Sequence, residues 1–225
     1  IYDRANGTLE NVSEQLDISF GQLVWADDSK SIYYTAANEI YNSIYNINIA
    51  TKENKLLIQK VDASGLILSG NDLVFKSQKS TLPFEIFKSK TDGSDLKQIS
   101  FINKELLAQL EMNNVETFWS DGAEGAKVQS IIVKPPFFDE NKTYPMIFLI
   151  HGGPQGHWTD DFHYRWNLQM FASKGYVVVA PNPRGSTGYG QAFTDGISQD
   201  WGGKVYIDLM NAYDYAIATY KFIDG

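Results

Sequence analysis

Alternation dominates the first hundred residues. Apolar and aromatic side chains recur with a period near two in short runs at residues 22–25, 31–35, 43–48, 55–58, 65–68, 72–76, 84–89 and 96–100, and Asp, Asn, Gly and Ser punctuate them. A period of two puts one face of each run against a core, so each is a predicted strand. No helical periodicity interrupts them before Asn103. Two stretches share a layout. Trp25-Ala26-Asp27-Asp28 leads through residues 31–34 to residues 43–47, and Ser69-Gly70-Asn71 leads through residues 72–75 to residues 85–89. A unit of about 40 residues with four short strands is the repeat of a β-propeller blade. A plain antiparallel sandwich accommodates the same strands. Two units do not close a propeller, so the blade reading expects further blades ahead of Ile1.

From about Asn114 the pattern changes. Residues 115–120 and 127–134 read as a hairpin around Asp121-Gly122-Ala123-Glu124-Gly125, and Pro135-Pro136 stops its second strand. Residues 146–150 and 176–180 are continuous apolar runs, as expected of parallel strands buried on both faces. Between them, Phe162, Trp166 and Met170 predict a helix over residues 162–174 that stops at Gly175. Val205, Leu209, Ala212, Ala216 and Tyr220 predict another over residues 204–220. Strand, helix, strand, loop and helix make an α/β sheet with flanking helices. The expected division is therefore an all-β part, residues 1–113, and an α/β part, residues 114–225.

Composition narrows the function classes. The 225 residues carry 19 Lys plus Arg against 27 Asp plus Glu, a formal charge of -8 without a basic block, which argues against nucleic-acid or anionic-membrane partners. There is no cysteine, so disulfides and thiolate metal sites are excluded. The three histidines, His151, His157 and His163, lie six apart and off any common face, so neither a metal nor a cofactor is expected.

The chemistry concentrates after the first apolar run. Ile150-His151-Gly152-Gly153-Pro154 reads as a strand delivering a tight glycine turn, the kind of turn whose NH groups can face a substrate carbonyl; a purely structural turn has the same sequence. Asn182-Pro183-Arg184-Gly185-Ser186-Thr187-Gly188-Tyr189-Gly190 follows the next run directly. Its order is not that of a phosphate loop, and no helix is expected to open right after it. Arg184 reads as a brace for this loop, with Asp200, Asp208 and Asp214 as equal candidates for its partner. His151 reads as a wall of the site rather than a base, and neither Ser186 nor Ser198 has the surroundings of a nucleophile. Trp158, Phe162, Tyr164 and Trp166 read as core or interface aromatics.

Taken together, Tyr144-Pro145-Met146-Ile147, His151-Gly152-Gly153-Pro154, Phe171-Ala172-Ser173-Lys174-Gly175-Tyr176, residues 182–190 and Asp200-Trp201-Gly202-Gly203 resemble the prolyl oligopeptidase family of serine peptidases. Residues 162–167 and 201–206 are most similar to its acylaminoacyl-peptidase and dipeptidyl-peptidase 5 branch. The resemblance implies β-propeller blades over residues 1–113 and the first half of an α/β-hydrolase domain over residues 114–225. It implies an exopeptidase that cleaves short peptides through an acyl-enzyme, using a Ser, Asp, His triad in that order. The chain contains no Gly-x-Ser-x-Gly, so none of the triad is assigned here, and the chain alone is expected to be inactive. What carries over is the oxyanion side: Gly153 first, Gly152 next. Relatives with Tyr at the position of His151 use its hydroxyl, and the His departs from that. The implied partners are a short peptide and the rest of the same domain, present as continuing chain or as a second polypeptide, with a homo-oligomer left open. The resemblance leans towards a secreted or periplasmic protein. A noncatalytic hydrolase-fold scaffold and an esterase are the alternatives.

Overall fold

The computed structural model describes residues 1–224. After a short hairpin of β1 (Tyr2–Asp3) and β2 (Thr8–Leu9), two four-stranded antiparallel meanders follow one another. The first is β3 (Phe20–Trp25), β4 (Ser31–Asn38), β5 (Tyr41–Asn48) and β6 (Asn54–Ile58). The second is β7 (Asp62–Ser69), β8 (Asp72–Lys79), β9 (Leu82–Lys90) and β10 (Lys97–Gln98). One parallel bridge, Asn42 to Asp62, joins them. Alternation sets the faces: Ala63, Leu73 and Phe75 point into a shared core with Tyr33, Ile44 and Ile58, while neighbouring positions meet solvent.

Glu85 on β9 is an exception to apolar burial. At 2% exposure it accepts hydrogen bonds from Ser100 Oγ, from Asn103 N (3.1 Å) and from Asn103 Nδ2 (3.3 Å), which tie β9 to the segment entering α1 (Lys104–Leu107). Burial pushes its pKa up, but these bonds and one from the Ile102 NH outweigh it and hold the carboxyl below its ordinary value. A depressed carboxylate stabilises the fold fully above its unfolded value and loses that contribution as pH falls through the folded one. Glu85→Gln is expected to cost about 2 kcal/mol at pH 7 and much less at pH 3. Urea midpoints at the two pH values check this, and a variant equal to wild type at pH 7 would contradict it.

The second sheet is mixed, in the order β11-β12-β14-β13-β15. β11 (Glu116–Asp121) and β12 (Lys127–Val133) form the expected hairpin, and β12 runs antiparallel to β14 (Val177–Asn182). Pairing is parallel only where β13 (Tyr144–Phe148) meets β14 and β15 (Ile223–Asp224). All six residues of β14 are buried, because each face has its own cover. Val178 and Ala180 pack with Ile131, Val133 and α2 (Leu168–Ala172); Val177 and Val179 pack with Ile132, Phe118 and Ala216 of α4 (Lys204–Thr219).

Residues 146–150 are not buried on both faces as expected, since none of them is fully buried and Ile150 is 58% exposed, and two further expectations fail. The helix over residues 162–174 contracts to Leu168–Ala172, because Asn167 caps its start by accepting from Gln169 N (2.9 Å). Upstream, His163 Nδ1 accepts from the Arg165 and Trp166 NH groups (3.0 and 2.9 Å), a local turn that competes with helix. Tyr164 and Trp166 are consequently exposed, at 85% and 43%, and of the four aromatics Trp158 packs against the core. The second failure is α3 (Gln191–Asp195), a short helix that does open directly after Gly190. Asp17, remote in sequence, accepts from Gln191 N (2.8 Å) and so supplies its missing cap.

The meanders and the mixed sheet pack together. Ile40, at the β4–β5 turn, is completely buried among Ile131, Val133, Leu168 and Ala172. Asp160 donates its NH to Ile40 O (3.0 Å) and accepts from Ser80 N (2.8 Å) at the β8–β9 turn.

Candidate active site

Both parallel strands release the chain at one edge of the sheet. β13 extends through Leu149, whose NH donates to Val179 O (2.8 Å), into residues 150–158; β14 runs directly into residues 183–190. Loops that leave the carboxyl ends of neighbouring parallel strands bound the crevice in which α/β proteins hold ligands.

Gly152 and Gly153 lie exposed at the lip of this crevice. Gly153 has φ +131°, a conformation closed to most side-chain-bearing residues, which is why the sequence needs glycine there. Among the described residues neither NH donates to a protein acceptor. Two exposed, unpartnered donors are free to meet water or a ligand oxygen. A recess of about 360 Å3 adjoins the turn, with His151, His157, Trp158, Asp161 and Trp166 in its wall.

Burial lowers the pKa of both half-buried imidazoles; at His151 the Gly152 carbonyl partly opposes it, and His157, beside it, falls to about 4. Both rings are neutral at pH 7. Burial raises Asp160 and Asp161. His151 Nε2 lies 2.9 Å from Ser186 Oγ, and His157 Nδ1 lies 2.7 Å from Thr187 Oγ1. Neither hydroxyl was singled out by the sequence. Nothing in its spacing says that two consecutive hydroxyl residues of one loop face two histidines six apart in another.

Polar side chains also link these loops to the rest of the molecule. Asn182 accepts from Trp158 N (2.7 Å) and donates to Tyr189 OH (2.9 Å), which donates to Gln129 Oε1 (2.7 Å); Gln129 donates to Glu39 Oε2 (3.1 Å) at the β4–β5 turn. Gly188 has φ +91°, and a β-carbon there would stand 2.9 Å from Glu39 O. Its carbonyl accepts the Glu39 NH (3.0 Å).

Of the three candidate partners of Arg184, Asp208 is the one engaged. Arg184 Nε and Nη2 donate to its two oxygens, both at 2.8 Å, with side chains 8% and 0% exposed. Asp200 instead caps α4 through Lys204 N (3.1 Å). His163 is exposed and lines the same recess as His151, and its Nδ1 is engaged by the Arg165 and Trp166 NH groups. Among the described residues no cluster of three or more His, Asp or Glu could hold a metal.

Residues 162–225 match the profile of the Prolyl oligopeptidase family. A probable dipeptidyl-peptidase 5 of Trichophyton verrucosum is 37% identical over 98% of the chain. The chain is thus similar to the prolyl oligopeptidase family in its last 64 residues and to that peptidase along nearly all of its length. It spans 31% of the length of that relative. The fold agrees with solved structures. A Pyrococcus horikoshii acylaminoacyl peptidase superposes on 97% of the chain with a TM-score of 0.83 at 22% identity, covering 34% of its own length. A Porphyromonas gingivalis dipeptidyl peptidase 4 superposes on 99% with 0.72 at 22% identity, covering 32% of its own length. No helix among the described residues is long and apolar enough to cross a membrane.

Proposed function

We propose that this chain is the middle portion of a serine exopeptidase that removes dipeptides or acylated residues from the amino ends of short peptides. Residues 1–113 are its last propeller blades, and residues 114–225 are the first half of its hydrolase domain. The observation that carries this reading is the pair of free NH groups on Gly152 and Gly153, placed at the carboxyl ends of two parallel strands. Gly153, joined by Gly152, holds the oxyanion as an acyl-enzyme forms and breaks down. Two meanders of four strands, each joined in sequence order, support the blade assignment.

The serine comes from polypeptide outside this sequence, since Gly-x-Ser-x-Gly does not occur in it. That polypeptide, continuous or separate, is the first partner. Among the described residues β15 pairs with Tyr144 and Pro145 of β13, and the edge of β13 beyond them is where we place that polypeptide. A secreted or periplasmic location is the expectation carried by the dipeptidyl-peptidase 5 likeness.

Labelling with a fluorophosphonate probe tests the assignment. The longer polypeptide that contains this sequence should label at one serine and hydrolyse dipeptidyl or acylaminoacyl nitroanilides, and the 225-residue chain should do neither. Covalent labelling of the short chain would refute the assignment of its role.

A further inference from the structure

A Ser–His pair at 2.9 Å invites a catalytic reading, but here the geometry gives it another task. His151 Nδ1 lies 3.1 Å from Gly152 O, and a carbonyl oxygen can only accept. The proton of the neutral ring is therefore on Nδ1, and Nε2 accepts the Ser186 hydroxyl. Ser186 is completely buried, which denies a substrate access to its Oγ.

The bond to Gly152 O has a geometric consequence. Gly152 O and the Gly153 NH belong to one peptide unit, which is planar and trans, so they point in opposite directions. Holding the carbonyl against the imidazole turns the next NH away from it. Gly153 has φ +131°, and among the described residues no backbone hydrogen bond engages Gly152 O or the Gly153 NH, so the imidazole is the one hydrogen-bonding partner of this peptide unit. The neighbouring rung, His157 to Thr187, together with the Thr187 NH donating to Gly156 O (3.3 Å), keeps the two loops in register.

We propose that Ser186, acting through the His151 ring, fixes the Gly152–Gly153 peptide plane and so aims the Gly153 NH at the substrate carbonyl. His151 and Ser186 are positioning residues, neither base nor nucleophile. This rests on the peptidase reading above and names two further residues it depends on.

The test uses the longer, active polypeptide. Ser186→Ala should lower kcat about 10-fold, and His151→Phe about 100-fold, with KM within about twofold. Affinity for a peptide aldehyde, which forms a tetrahedral adduct, should fall by the same factors as kcat. Ser186→Thr, which keeps the hydroxyl, should recover most of the rate. Unchanged kcat in Ser186→Ala, a loss that follows the melting temperature but spares aldehyde affinity, or abolition of fluorophosphonate labelling in that variant would overturn the proposal. If the wild-type polypeptide cleaves no peptide, the peptidase reading fails, and imidazole nitrogen NMR of the 225-residue chain decides the positioning separately. A ring protonated on Nδ1, with an Nε2 shift that moves in Ser186→Ala, supports it; a ring protonated on Nε2 overturns it.

Discussion

Asp208→Ala is expected to destabilise the chain by about 3–5 kcal/mol, enough to leave much of it unfolded or insoluble at 37 °C. The carboxylate is the hub of three segments. It accepts from Arg184 Nε and Nη2, from the Arg184 NH (3.1 Å) and from the Ala123 NH (2.8 Å), while Arg184 Nη2 also donates to Ala123 O (2.7 Å). Removing it strands a guanidinium that is 8% exposed and leaves two buried NH groups without an acceptor. Gly122 belongs to the same construction, since a β-carbon there would collide with Asp208 Oδ1. Asp208→Asn should recover little, because the amide turns a donor towards a site furnished with donors. Arg184→Met combined with Asp208→Leu removes both charges and should cost less than Asp208→Ala alone. Chemical unfolding of the four proteins at pH 7 makes the comparison, and a single variant as stable as wild type would show that the pair contributes nothing net.

The other large effect falls on catalysis. Gly153→Ala in the longer polypeptide should lower kcat about 100- to 1000-fold, in the range found when one oxyanion donor is lost, with KM nearly unchanged. At φ +131° an added methyl group forces the backbone to relax, and its β-carbon would already stand 3.3 Å from Gly156 N. On the proposed oxyanion role, the NH then moves off the position from which it meets the carbonyl. Gly152→Ala should do less, since nothing lies within 4 Å of a β-carbon there and its φ is not in the positive region. A Gly153→Ala enzyme within threefold of wild type in kcat would remove this glycine from the reaction.

The strands were legible in the sequence because alternation is local. Residues 31–35 and 72–76 declare their own faces, and each run lengthened into the observed β4 or β8. β14 was legible because continuous burial demands a continuous apolar run. The helix over residues 162–174 was misread because the ring of His163 and the side chain of Asn167 take up backbone NH groups, which periodicity does not report. α3 was missed because its cap, Asp17, is remote in sequence. At the candidate site, the turn was legible because Gly153 takes a φ of +131° that calls for glycine. The partners of Arg184 and His151 were not, since Asp200, Asp208 and Asp214 are equivalent as letters and only the packing of α4 brings Asp208 to the loop.

Ile40 carries a consequence for how the molecule is divided. The change of grammar near residue 113 is a boundary along the chain, yet the core beneath β14 and α2 is completed by a side chain from the far side of that boundary. With Asp160 bonded to Ile40 O and to the Ser80 NH, the loop that walls the recess is held partly by hairpin tips of the meanders. The seam in the sequence is thus not a seam in the packing. Pulling the two parts away from each other would open a hole in a core and release a wall of the crevice in one movement, so access to the glycine turn and cohesion of the parts are a single mechanical variable.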